Sequence, residues 1–230
     1  MNPEVRRNFA AAAQNVVGAF QRAGGFLGQE VTPPLLSDAL KQCLNVFGEP
    51  ESANRLSADE LDELGTHALN CISDLALWAA HLQLESDRAA VEYLGLEIAQ
   101  WLVAHQVPIA VLEPVVNALA RRANAIHEPE RLVQVARLAR QLVAGVADVT
   151  HANLASADSW RIFNFNYAII ATRTQSPQLM NEAYDWLEAN LPAECPAFFE
   201  EGVREAQEAV YGPHVGKAMR ERLAKWTERH

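Results

Sequence analysis

Apolar residues recur at helical spacing along this chain from the N-terminus to Trp226, and no run alternates with a period of two. Val5, Phe9, Ala12, Val16 and Phe20 share one face of a first helix that runs to about Ala23 and stops at Gly24-Gly25. Thr32 and Pro33 open a second helix, since proline suits a first helical turn. It reaches about Phe47 and ends at Gly48, and Glu49 to Leu56 reads as a polar loop. Ser57 and Glu60 form a capping-box pattern. Behind it Leu61, Leu64, Ala68, Cys71, Leu75, Trp78 and Leu82 make a heptad-like stripe that needs a partner helix at a shallow angle. Ser86 then caps a helix over about Asp87–His105 that is apolar nearly all round, with Glu97 and Gln100 as its polar strip. Trp78 and Trp101 lie on dense apolar stripes and are expected in the core.

Proline sets the later boundaries. Val107-Pro108 breaks the fourth helix, and the next is expected from Pro114 to Ile126, because proline deep inside a helix removes a hydrogen bond. Glu128-Pro129 is a second break, followed by a helix over Leu132–Val146 with Arg137 and Arg140 outward. Asp148 to Asp158 lacks apolar periodicity and marks an expected seam. Four helices follow, one over Trp160–Thr174 and three opened by Ser176-Pro177, Pro196 and Pro213. The sum is one all-α domain over residues 1–230 with nine to ten helices. Short loops force antiparallel neighbours. The expected architecture is therefore antiparallel helical hairpins stacked as an α-α superhelix, or a compact multi-helix array.

The hairpin rhythm resembles tetratricopeptide-like repeats, whose consensus runs roughly W-x2-L-G-x2-Y, then A-x3-F, then Pro, here met with apolar substitutes for the aromatic positions. Val91-x2-Leu94-Gly95-x2-Ile98 and Leu61-x2-Leu64-Gly65-x2-Ala68 supply the L-G pairs. Val107 stands where the repeat's small residue belongs, and no 34-residue period appears. The resemblance covers rhythm from about Leu61 onward and implies a helical scaffold. It carries over no functional residue.

Composition narrows the function classes. The chain has 230 residues, 50% of them hydrophobic, and a net charge of −10. Phosphate backbones bind basic stripes, so nucleic acid is disfavoured as a partner. No apolar run has the roughly 20 residues of a membrane helix. Arg6-Arg7 with the Ala-rich run behind them read as an amphipathic helix rather than a leader, since Gln14 and Asn15 interrupt the run. A cytoplasmic location is expected. Acids dominate from Glu182 to Glu208 and bases from Lys217 to Arg229, a pattern that points to internal pairing or self-contact.

Reactive chemistry is sparse. His67 and His81 flank Asp74 at intervals of seven, about 10.5 Å of helical rise, too far apart for one ion. Neither a metal nor another cofactor is expected. Asp59, Glu60, Asp62 and Glu63 occupy the start of a capped helix, where acids favour the helix dipole. Phosphate-cradling and nucleophile-elbow motifs are absent. Cys43 and Cys71 fall on apolar faces, whereas Cys195 stands at a helix N-terminus, where a thiolate is stabilised, and is the one thiol to test for reactivity.

The most informative segment is Trp160–Thr174. Trp160, Phe163, Tyr167, Ile170 and Thr174 form one stripe, and Ile162, Phe165 and Ile169 a second. Asn166 and Arg173 stand among these apolar residues and need partners, internal or external. With Tyr167 and Asn164 they form the candidate partner-binding set. The expected function is a non-catalytic helical scaffold that binds a protein or peptide, or assembles with itself. The alternative is an enzyme whose site converges from several helices.

Overall fold

The computed structural model describes residues 1–24, 30–49, 55–146, 154–208 and 211–227. Among them the protein is all-α. The helices are α1 (Pro3–Arg22), α2 (Pro33–Gly48), α3 (Ala58–His81), α4 (Glu85–Ala104), α5 (Glu113–Asn124), α6 (Pro129–Ala144), α7 (Leu154–Arg173), α8 (Pro177–Asn190), α9 (Cys195–Glu208) and α10 (Pro213–Thr227), with one 3₁₀ turn at Pro192–Glu194. No strand occurs among the described residues, only an isolated bridge between Ile109 and Val146.

The chain divides into two compact units. One comprises Met1–Arg121 with Ala144–Ser159, the other Arg122–Val143 with Trp160–His230. Of the expected seam at 148–158, residues 148–153 lie outside the described residues, and from Leu154 the chain is already in α7. Helix α7 therefore starts six residues before its expected Trp160, because apolar periodicity does not mark its first turns. Helix α6 begins at Pro129, three residues before the expected Leu132, since proline is accommodated in a first turn.

In the first unit the packing pairs close a ring: α1 on α2, α2 on α3, α3 on α4 and α4 on α1. The capping box at Ser57 and Glu60 forms in both directions. Leu84, rather than Ser86, stands at the N-cap of α4 and gives no side-chain cap. The glycines of the two L-G pairs lie at helix crossings. A Cβ on Gly65 would meet Leu102 Cδ2 at 2.6 Å, and one on Gly95 would meet Ile72 and Pro114 at 3.3 Å. Trp78 and Trp101 are half-buried rather than enclosed. Each has a neighbour at the surface: Trp78 donates to Val31 O at 3.2 Å and meets Phe20 edge-on, while Trp101 stacks on the exposed His105. An amphipathic indole satisfied in this way settles at a boundary.

Two helices stop by one device, and a third shares its left-handed glutamine but not the paired bonds, the following Ser176 N donating to Thr174 Oγ1 instead. Gln83, Gln106 and Gln175 follow α3, α4 and α7 with φ of 58°, 60° and 55°. After α3, Leu84 N donates to Ala79 O and Gln83 N to Ala80 O; after α4, Val107 N donates to Leu102 O and Gln106 N to Val103 O. These are the paired bonds of a Schellman stop, built on a residue type that rarely adopts the left-handed region.

The second unit packs α8, α9 and α10 against α7. Its core holds Ala168, Met180, Tyr184, Leu187, Phe199 and Met219. Tyr184 OH and Thr172 Oγ1 lie 2.8 Å apart, and Thr172 in turn donates to Ala168 O, so the tyrosine is the donor of the pair. Arg222 of α10 is only 8% exposed and reaches Asp185 at 2.5 Å, Glu188 at 3.1 Å and Asn181 at 3.2 Å, all on α8. The acidic and basic segments of the C-terminal half thus pair within the chain.

Candidate functional site

The sequence sets two apolar stripes on α7, and the structure treats them oppositely. Trp160, Phe163, Tyr167, Ile170 and Thr174 are all buried. Ile162 and Ile169 remain 44% and 45% exposed, and Phe165 between them is half-buried. At 100° per residue Ile162, Phe165, Asn166, Ile169 and Arg173 share one face of the helix. The two exposed isoleucines stand about 10.5 Å apart along that face, with Phe165 half-buried between them beneath the guanidinium of Arg161.

Ile169 also lines a cleft of about 360 Å³ walled by α7, α9 and α10, with Phe198, Gly202, Tyr211, Val215 and Met219 as its apolar surface. Phe198 stacks on Phe165 with ring centroids 5.5 Å apart, which makes stripe and cleft continuous. Gly202 permits the approach of α10, since a Cβ there would meet Met219 Sδ and Cε at 2.9 Å. Glu201 and Glu205, one turn apart on α9, line the same cleft. Glu201 is paired with Arg204, whereas Glu205 makes no ion pair among the described residues.

The strand of chain that delivers Tyr211 is pinned from the end of α7. Gln175 Oε1 accepts from Gly212 N at 2.8 Å, and Gln175 O accepts from His214 Nε2 at 2.9 Å. Burial pushes the Tyr211 phenol above its ordinary value; the charge of Arg173 opposes this and that of Glu205 adds to it.

The four residues singled out from the sequence fall in different places. Arg173 is half-buried, donates to Ile126 O at 2.7 Å and to Asn124 Oδ1 at 3.4 Å, and so caps the chain just past α5. Asn166 is half-buried on the open face. Asn164 is buried with both ends of its amide engaged, donating to Trp160 O at 2.8 Å and accepting from Trp186 Nε1 at 2.9 Å. Tyr167 is 1% exposed, and its hydroxyl, which has no hydrogen-bond partner among the described residues, is pushed up to about 12 by burial. Asn164 and Tyr167 are thus inside the fold. The sequence reading missed Phe198, Glu205 and Tyr211, because they come from α9 and the start of α10 and meet α7 only in three dimensions. The signal that α7 has two faces to cover was present in its second stripe.

Cys195, the one thiol singled out for a reactivity test, is fully buried. Its Sγ donates to Leu191 O at 3.3 Å, and burial pushes its pKa up to about 11. The helix N-terminus is outweighed by desolvation of the thiolate. Cys71 is raised to about 11 by burial and by neighbouring Cys43 and Asp74. In the first unit the sequence named Glu97 and Gln100 as the polar strip of α4 but passed over Glu92. This carboxylate is 1% exposed and is held by Arg88 at 3.0 Å, Arg121 at 2.7 Å and Asn117 at 3.2 Å. Its i,i+4 spacing from Arg88 was the available clue. With both oxygens occupied, Glu92 ties α4 to α5.

Among the described residues no group of three or more His, Cys, Asp or Glu side chains is placed to hold a metal ion. No helix among them is long and apolar enough to cross a membrane. Compared with protein families, with curated proteins and with solved structures, the chain matches none.

Proposed function

We propose that this protein is a non-catalytic helical scaffold that takes an amphipathic helix of a protein partner into the α7–α9–α10 groove. The observation that carries the reading is the open stripe Ile162–Phe165–Ile169 running into the cleft of Phe198 and Tyr211. Large apolar side chains left side by side on a folded surface mark interaction sites. A stripe of this length matches the i, i+3/i+4, i+7 anchors of a helix laid into a groove. Asn166 lies on the same face and offers an amide to a polar group of the incoming helix. Arg173 lies on the same face of α7, with its guanidinium held at Ile126 O.

The test is selection of helical peptides from a random library on the wild-type protein, with counter-selection on a double variant, Ile162→Ser with Ile169→Ser. Enrichment of peptides with apolar residues at i, i+3, i+4 and i+7 that lose binding to the variant is expected. Enriched peptides that bind both proteins equally would place the interaction elsewhere. Wild-type protein that sediments as a dimer while the variant sediments as a monomer would assign the face to a second copy and overturn the partner reading.

A further inference from the structure

We infer that the helix seated in this groove is cationic, with a Lys or Arg flanking its apolar face where it meets α9. The inference rests on the groove reading and adds the charge of the partner. Glu205 lines the cleft beside Tyr211 and has no ion-pair partner among the described residues, although it stands one turn from the Glu201–Arg204 pair. No Lys or Arg is among the described residues that line the cleft, and on α10 Arg222 is committed to Asp185 and Glu188 and Lys217 to Glu221.

A carboxylate at the edge of an apolar cleft loses part of its hydration when a helix covers it. That loss is offset only by an opposite charge brought in with the apolar anchor. An anionic helix would instead set like charges together at the rim. The field of the whole chain acts in the same direction: a net charge of −10 attracts cationic segments and repels anionic ones before contact. The apolar stripe thus provides affinity and α9 selects the sign.

The experiment uses two synthetic helical peptides of roughly 16 residues, long enough for about four turns. They share one leucine face at i, i+3, i+4 and i+7, flanked by Lys in one and by Glu in the other. Fluorescence anisotropy against the full chain is expected to show the Lys peptide binding about tenfold tighter, with the margin shrinking as salt rises. Glu205→Gln is expected to weaken the Lys peptide about threefold, and Glu205→Lys to reverse the preference. Binding of both peptides with equal affinity, abolished by Ile162→Ser with Ile169→Ser, would overturn the cationic partner and leave the groove intact. Binding of neither peptide to the wild-type chain would remove both.

Discussion

The guanidinium of Arg173, in the last turn of α7, donates to the carbonyl of Ile126 at 2.7 Å. A charged donor thereby satisfies a backbone acceptor just past the end of α5, where the helix leaves carbonyls without intrahelical partners. Replacing Arg173 by Ala is expected to cost about 1.5–3 kcal/mol, the range for a hydrogen bond to a charged group. Urea denaturation would show it as a lower midpoint. Unchanged stability with weakened peptide binding would assign the residue to the partner instead of the fold.

Glu92 gives the matching prediction in the first unit. Glu92→Ala leaves Arg121 and Arg88 without their shared buried carboxylate, and a loss of about 3 kcal/mol is expected. Glu60→Ala, which removes the reciprocal half of an exposed capping box, is expected to cost less than Glu92→Ala. Thermal melts of the two variants side by side check the order.

The left-handed glutamines separate backbone preference from side-chain bonding. Gln83→Gly and Gln106→Gly are each expected to stabilise by about 0.5–1 kcal/mol, because glycine enters the left-handed region without penalty. Gln175→Gly is expected to show no such gain, since it also removes the bond from Gly212 N to Gln175 Oε1. Equal gains at all three positions in equilibrium unfolding would mean that this bond contributes nothing.

Buried acids set the alkaline limit. Cys71 and Cys195 rise from 9.0 to about 11, and Tyr167 and Tyr184 from 10.0 to about 12. Each group holds its proton more tightly when folded. Its contribution is therefore complete below the unfolded value and is lost as pH climbs through the folded one. Stability is expected to fall between about pH 9 and pH 12. The thiols are expected to resist alkylation at pH 8 until the chain is unfolded. Rapid labelling of native Cys195 at that pH would contradict its burial.

Local pattern carried the helices because each signal was local: the Ser57–Glu60 box, the prolines at Pro177 and Pro213, and the heptad stripe of α3. Helix stops were harder to read at Gln83, Gln106 and Gln175, where the usual Gly or Asn of a left-handed turn is absent. The site was half legible. Two stripes on α7 are a property of its sequence, but which one stays open depends on what α8, α9 and α10 cover. Tyr167 and Asn164, in the candidate set, are both drawn inward by that packing. Glu205 was one acid among many until the fold set it beside Tyr211.

The bridge between Ile109 and Val146 also orders events in time. Ile109 N donates to Gly145 O at 2.8 Å, and both belong to the first unit, whose two segments are separated in the chain by residues 122–143. A ribosome adding roughly 5–20 residues per second needs about 2–7 s to travel from one partner to the other. Throughout that interval the four-helix ring is already synthesised, but its last backbone pairing has no acceptor. The nascent first unit therefore waits, nearly complete, for a strand of chain that arrives only after part of its neighbour has been made.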